Sequence, residues 1–410
     1  NFTDGAFIGH GAGSDALAAV NIAAPIFNLM AGLAIMFGIG CSVVASIHLS
    51  RGKVKAARIN ATQAMIGCLL LSLLMSGLIL SDLPRTCRLF GSSPALVPLA
   101  GSYLRWIAIS SPLIMSEVAL GFIIRLDGSP RYVMACSVFS CVLNIILDYV
   151  FIFPLGWGLE GAAIATSISF SLCGVAEWVY ILFFAKTLRL YPLKLSLKSC
   201  WLTIRNLAYQ VRMGFSVMLG EVAVSGTIIV GNYVFMHYLG ESGVAAYSVI
   251  CYCFPIIFMF ANSIVQSAQP IVSFAYGASS QTRLSESFRL IMRFSLLVGL
   301  LTAAIFFLLA RYVPLLFLDA SDPAYAICEH GVPYFSLGIV FIVLNIVWIG
   351  YMQSVEQSVR ATVFTLLRGF LLVIPCFLFL PMALGTPGIW LAIPLAELST
   401  FLFIFAGAKK

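Results

Sequence analysis

The chain has 410 residues, 61% of them hydrophobic and only 10% charged, against about 45–50% apolar and about 25% charged in an ordinary soluble domain. That composition excludes a soluble globular protein. The net charge of +7 sits mostly in alternate loops, so it bears on orientation in a bilayer and not on a nucleic-acid partner.

A helix that crosses a membrane needs about 20 predominantly apolar residues. Such runs recur near 15–47, 60–81, 99–123, 131–153, 160–186, 213–238, 243–275, 289–311, 327–353, 361–380 and 388–407. They are too long for barrel strands and lack barrel alternation, so the backbone must satisfy its hydrogen bonds inside helices. The fold expected is all-α and polytopic, with eleven complete spans. The opening NFTDGAFIGHG continues an apolar face through Phe7 and Ile8 and is ended by Gly9, Gly11 and Gly13. It reads as the last turns of a twelfth helix, and a start without methionine implies a longer N-terminus in the gene product. The eleven cysteines lack paired or metal-ligand spacing and read as small apolar fillers.

Lys and Arg set the orientation. One set of alternate loops carries Arg51, Lys53, Lys55 and Arg58, Arg125 and Arg131, the segment from Lys186 to Arg212, Arg283 and Arg289, Arg360, and Lys409 with Lys410; the other has only Arg85, Arg88, Arg105 and Arg311. The rich set is expected to face the cytoplasm, together with the C-terminus. The basic, partly amphipathic stretch 187–212 reads as a cytoplasmic linker lying on the anionic inner leaflet. It separates an N-lobe at 1–186 from a C-lobe at 213–410.

The two lobes match in sequence. Leu17-Ala18-Ala19 aligns with Val244-Ala245-Ala246 at an offset of 227, which also pairs His10 with His237, Gly13 with Gly240, Ser46 with Ser273, Pro154 with Pro381 and Gly161 with Gly388. Six spans separate equivalent positions, and an even number preserves orientation. Two parallel six-helix repeats about a pseudo-two-fold axis along the membrane normal are therefore expected. The polar positions break this symmetry: Asp4 becomes Gly231, Thr166 becomes Ile393, and Asn144 and Asp148 fall on Leu371 or Val373 and on Pro375 or Phe377.

Asn144 and Asp148 stand at i and i+4, on one face of the fifth helix, counting the truncated one as the first. At about 1.5 Å per residue from the outer span ends, Asp148 lies roughly 8 Å deep, Asp4 about 9 Å, Thr166 about 10–12 Å and Asn144 about 13 Å. Two carboxylates, an amide carbonyl and a hydroxyl in one layer offer hard oxygen ligands for Na⁺, or a place for H⁺. Ionisable residues inside spans are rare and point to function.

FTDGAFIGHGAGSDALAAVNIAAP at the start, LDGSPRYVM at 126–134, NIILDYVFIF with GLEGAAIAT, and AQPIVSFAYGA at 268–278 together resemble the multidrug and toxic compound extrusion (MATE) family. The resemblance covers the whole chain and is greatest to the bacterial branch with the DNA-damage-inducible and staphylococcal exporters. It implies an N-lobe cation site at Asp4, Asn144, Asp148 and Thr166. It further implies a monomeric secondary antiporter of a bacterial inner membrane that exports amphipathic, cationic organic compounds against Na⁺ or H⁺ and uses no cofactor.

Glu221 resembles an acidic residue that some members carry on the seventh helix, facing the cavity. Gln266 and Gln269 are further candidates to line the cavity, with Pro270 marking a local break in their helix; Phe258, Met259, Phe260, Met30 and Met36 are candidates either to line an adaptable substrate cavity or, as such stripes more often do, to pack the core. Glu117, Glu177 and Glu397 lie near span ends or in polar company and suggest no role. Two rival readings are a flippase for lipid-linked saccharides, which would need an arginine such as Arg368, Arg105 or Arg293 in the cavity, and a membrane enzyme. The chain carries no motif for the latter.

Overall fold

A computed structural model describes residues 4, 7–8, 14–89, 96–193, 196–316, 321 and 323–408, and among them every regular element is helical. Gly9, His10, Gly11, Gly13, Lys194, Lys409 and Lys410 lie outside the described residues. In chain order the helices are α1 (Ser14–Ser50), α2 (Val54–Ser81), the short α3 (Leu83–Leu89), α4 (Val97–Leu126), α5 (Pro130–Ile152), α6 (Gly158–Val179), α7 (Leu197–Gly277), α8 (Gln281–Leu308), α9 (Pro323–Ser354), α10 (Ser358–Leu366), α11 (Val373–Leu384) and α12 (Thr386–Ala408). α7 breaks at Gly240, whose φ of 65° and ψ of −158° are open to glycine alone. Single π-turns extend α6 at Tyr180–Phe184 and α10 at Leu367–Leu371. Eleven helical segments are long and apolar enough to span a bilayer, each overlying one of the hydropathic runs. The chain is a multi-pass membrane protein.

Two compact units divide it, Asn1–Met218 and Leu219–Lys410. The stretch 187–212, expected to be a linker, falls within the first unit, and from Leu197 onward it is helical. Long-range hydrogen bonds explain why. The Asp127 carboxylate accepts the backbone N–H groups of Lys186, Thr187 and Leu188 at 2.8, 2.7 and 2.7 Å. The Thr62 hydroxyl accepts from Tyr191 N–H at 2.8 Å, and Gln210 donates to the Asn60 side chain at 2.8 Å. Close approach of α1 to the start of α7 rests on two glycines, since a Cβ at Gly40 would collide with the Gln210 carbonyl and one at Gly214 with that of Met36.

The duplication is visible in the backbone. Gly52 and Ser279, 227 residues apart, both take positive φ (70° and 55°), as do Gly158 and Gly385 (53° and 64°). Gly161 sits against Phe151 and Gly388 against Leu380, each at the start of a helix folding back on its predecessor. Ser46 and Ser273 are both fully buried.

One of the alternatives for the substrate cavity is decided in favour of packing, and one expectation needs correction. Met30 and Met36 are 1% and 5% exposed and belong to the core of the first unit. The helix carrying Gln269 runs unbroken through Pro270 to Gly277, because Gly240 is its one residue with non-helical dihedral angles.

Candidate functional site

The α5–α6 hairpin builds the core of the cluster. Gly156 and Gly158 take positive φ, which lets the chain reverse within a few residues, and Trp157 N–H bonds the Phe151 carbonyl at 2.9 Å. With no side chain on Gly161, α6 packs directly on Phe151. This fixes the register in which Asn144 on α5 meets Thr166 on α6, with Asp148 one turn farther along α5. Asn144 Nδ2 donates to Thr166 Oγ1 at 3.4 Å, and both residues are buried.

Asp148 is 0% exposed. Among the described residues no donor reaches either of its carboxylate oxygens. The Asp4 carboxyl is near enough to act on it electrostatically, and when ionised it is likewise an acceptor only. Two carboxylates facing each other in a buried layer cannot both stay charged without a cation or a shared proton. All four residues singled out in the sequence therefore belong to one region of the first unit: Asp4 beside Asp148, and Asn144 one turn from Asp148 and bonded to Thr166.

A further residue, missed in the sequence, stands there too. Tyr103 on α4 is close enough for its phenol to sense the charges of both Asp4 and Asp148. One turn on, Trp106 donates to Glu160 at 2.9 Å, and Ser110 donates to Ser167 at 3.0 Å. These bonds hold α4 against α6 beside the cluster. Depth was the available signal: Tyr103 is about 9 Å from the start of its helix at 1.5 Å per residue, the same layer as Asp148.

The second unit fills the equivalent space with apolar groups. Val373, Phe377 and Ile393 are core residues there. The Tyr247 ring packs over Gly231, and its centroid is 6.3 Å from that of Phe377. An aromatic plug replaces the carboxylates.

The proposed cavity residues are placed differently from one another. Met259 is 58% exposed, and Gln266 and Glu221 are half-buried. Gln269 is buried and donates to Ser273 at 3.2 Å inside the second unit. A cavity within that unit is lined by Gly220, Thr227, Phe258, Thr365, Arg368 and Glu397 among others, with Glu221 outside its lining. Glu397 accepts from Arg368 Nη2 at 2.5 Å and from Asn345 Nδ2 at 2.7 Å.

A duplicated all-helical membrane chain with ionisable side chains buried among its helices has the architecture found in many transporters. The chain belongs to the MatE family, whose profile matches residues 1–150 and 216–378. It is similar to the multidrug export protein MepA of Staphylococcus aureus, with 22% identity over 394 residues that cover 95% of this chain and 85% of MepA. MepA of Staphylococcus saprophyticus is 23% identical over 396 residues, with the same coverage. Among solved structures, a MOP superfamily transporter from Pyrococcus furiosus superposes with a TM-score of 0.91 at 21% identity, covering 100% of this chain and 90% of that one. A variant of the Vibrio cholerae MATE transporter VcmN gives 0.89 at 19%, covering 100% and 92%. These structures establish a shared fold. Transporters of this family need no cofactor.

Proposed function

We propose that the chain is a secondary antiporter that exports amphipathic, cationic organic compounds in exchange for Na⁺ or H⁺ entering through Asp4, Asn144, Asp148 and Thr166. The observation that carries this reading is the Asp148 carboxylate, fully buried and, among the described residues, neighboured by a second carboxyl and reached by no donor. A buried charge of that kind is costly, and a cation that comes and goes accounts for its cost. Multidrug export is what the staphylococcal relatives are named for. The Lys and Arg distribution supports a bacterial inner membrane with the C-terminus in the cytoplasm.

Each elementary charge moving inward gains about 2.3 kcal/mol per 100 mV of membrane potential. The ion does work only if it binds two states of the first unit unequally. Neutralising the facing carboxylates removes their mutual repulsion, so ion binding favours a closed cluster and ion release an opened one. Glu221 and Met259 are assigned to the substrate path, where a carboxylate attracts cations and an exposed thioether adapts to varied apolar shapes.

Arg368, the arginine that a lipid-linked saccharide flippase would use to hold a pyrophosphate, is already committed to Glu397. That favours drug export over the flippase reading.

The decisive experiment is efflux of a cationic dye from proteoliposomes with Na⁺ and H⁺ gradients imposed separately. One gradient should drive efflux against the dye gradient. Failure of both, with reconstituted protein folded, rejects antiport.

A further inference from the structure

Farther along α4 and α6, three turns beyond the cation cluster, lies a second group of chemically capable side chains. Glu117 on α4 and Cys173 and Glu177 on α6 each offer one ligand atom, all within 4.8 Å of one another. Cys173 and Glu177 are at i and i+4, so they share a helix face, and the Cys173 thiol donates to Glu117 Oε1 at 3.6 Å, a proton that a bound metal would displace. Glu177 is 0% exposed. Among the described residues no donor reaches either of its carboxylate oxygens. Arg125 is near without satisfying them: its Nη1 and Glu177 Oε1 are 3.9 and 3.8 Å from where a Cβ on Gly121 would stand.

We propose that Glu117, Cys173 and Glu177 form a binding site for a thiophilic divalent cation of the Zn²⁺ type, joining α4 to α6. Two carboxylate oxygens and a thiolate make a donor set that Zn²⁺ takes, whereas Na⁺, Mg²⁺ and Ca²⁺ prefer oxygen alone. Zn–S of about 2.3 Å and Zn–O of about 2.0–2.2 Å at tetrahedral angles separate sulfur from oxygen by about 3.5 Å, close to the 3.6 Å found. The charges also balance. Two carboxylates and a thiolate carry −3 and Arg125 carries +1, so a divalent ion brings the buried group to neutrality. A monovalent ion does not. Three protein ligands leave a fourth position open, the pattern of an exchangeable site and not of a closed structural one.

A proton shared between Glu117 and Glu177 would neutralise the same group without using the thiol, and the test must separate the two. Purified full-length protein carrying Cys141→Ser and Cys200→Ser, which removes the two exposed thiols, is titrated with Co²⁺. Binding is read by thiolate-to-cobalt charge-transfer absorption, and Zn²⁺ is then added in competition. The expected result is one equivalent of Co²⁺ with a charge-transfer band, displaced by Zn²⁺ with a Kd below about 1 μM. Cys173→Ser in that background should lose the band, and Glu177→Gln should weaken Zn²⁺ binding at least about tenfold. A parent protein that binds neither metal stoichiometrically, or a band that survives Cys173→Ser, overturns the proposal. Should Glu177→Gln fail to fold, those two measurements still decide it.

Discussion

Asn144 and Thr166 meet through a single long hydrogen bond, 3.4 Å from amide nitrogen to hydroxyl oxygen, between two buried side chains on neighbouring helices. A bond that long is weak on its own, so its place beside Asp148 bears more on ligand geometry than on stability. Thr166→Val keeps the shape and removes the oxygen. A net hydrogen bond is worth about 1 kcal/mol, roughly fivefold in affinity. The cation concentration for half-maximal efflux should rise about fivefold, with dye affinity unchanged and Thr166→Ser close to wild type. An unaltered cation requirement in Thr166→Val would remove Thr166 from the site.

Asp148→Asn preserves size while deleting the charge that the cation is proposed to neutralise. Ion-driven efflux should be lost while the protein still reaches the membrane. Because no donor among the described residues reaches the carboxylate, its loss should leave thermal stability equal or higher. Two readings on one variant make the test sharp. Persisting ion-driven efflux would end the coupling role of Asp148, and a lower Tm would show that the carboxylate is held by something other than a transient ion.

Much of this was legible in the sequence for a specific reason. Bilayer thickness fixes span length, so eleven runs of hydropathy become eleven spanning helices. Likewise, i and i+4 spacing together with a short hairpin almost forces Asn144, Asp148 and Thr166 together. Contacts set by distant packing were not legible. Tyr103 reaches the cluster from another helix, and only its depth along that helix, with no spacing to another polar residue, marks it. Residues 187–212 read as a linker because their polarity is evident, whereas their partners at Asp127, Thr62 and Asn60 lie over fifty residues upstream. Cys173 looked like an apolar filler for the same reason, since Glu117 is 56 positions away.

The aromatic plug of the second unit carries its own expectation. Gly231 stands where the first repeat has Asp4, and any Cβ there would strike the Tyr247 ring, itself packed on Phe235 with centroids 4.5 Å apart. Gly231→Ala should cost about 1–3 kcal/mol by overpacking, seen as a lower Tm in detergent. Gly220→Ala, whose Cβ would meet nothing nearer than Thr365 Cγ2 at 3.9 Å, should be neutral or stabilising by up to about 1 kcal/mol, since Ala favours the helix over Gly. Equal effects of the two would mean that Tyr247 is free to move aside, and the plug would not be a rigid replacement for the cation site.

Arg368 and Glu397 offer a cleaner energetic test, because both partners and their surroundings are known. Glu397 accepts from Arg368 Nε at 3.0 Å and from Asn345 Nδ2 at 2.7 Å, and the two ionic side chains are 13% and 7% exposed. Arg368→Met strands a nearly buried carboxylate with the amide as its remaining donor, and breaking such a pair from one side costs about 3–5 kcal/mol. Glu397→Gln should cost less, since the guanidinium still borders the cavity and stands 5.9 Å from the Phe258 ring. In the double variant neither charge remains to be stranded, so the losses should fall well short of additive. A double-mutant cycle on denaturant unfolding should therefore give a coupling above about 1 kcal/mol. Coupling under about 0.5 kcal/mol would mean that cavity water already solvates both groups, freeing Arg368 for an anionic substrate and reviving the flippase reading that its present commitment to Glu397 argues against.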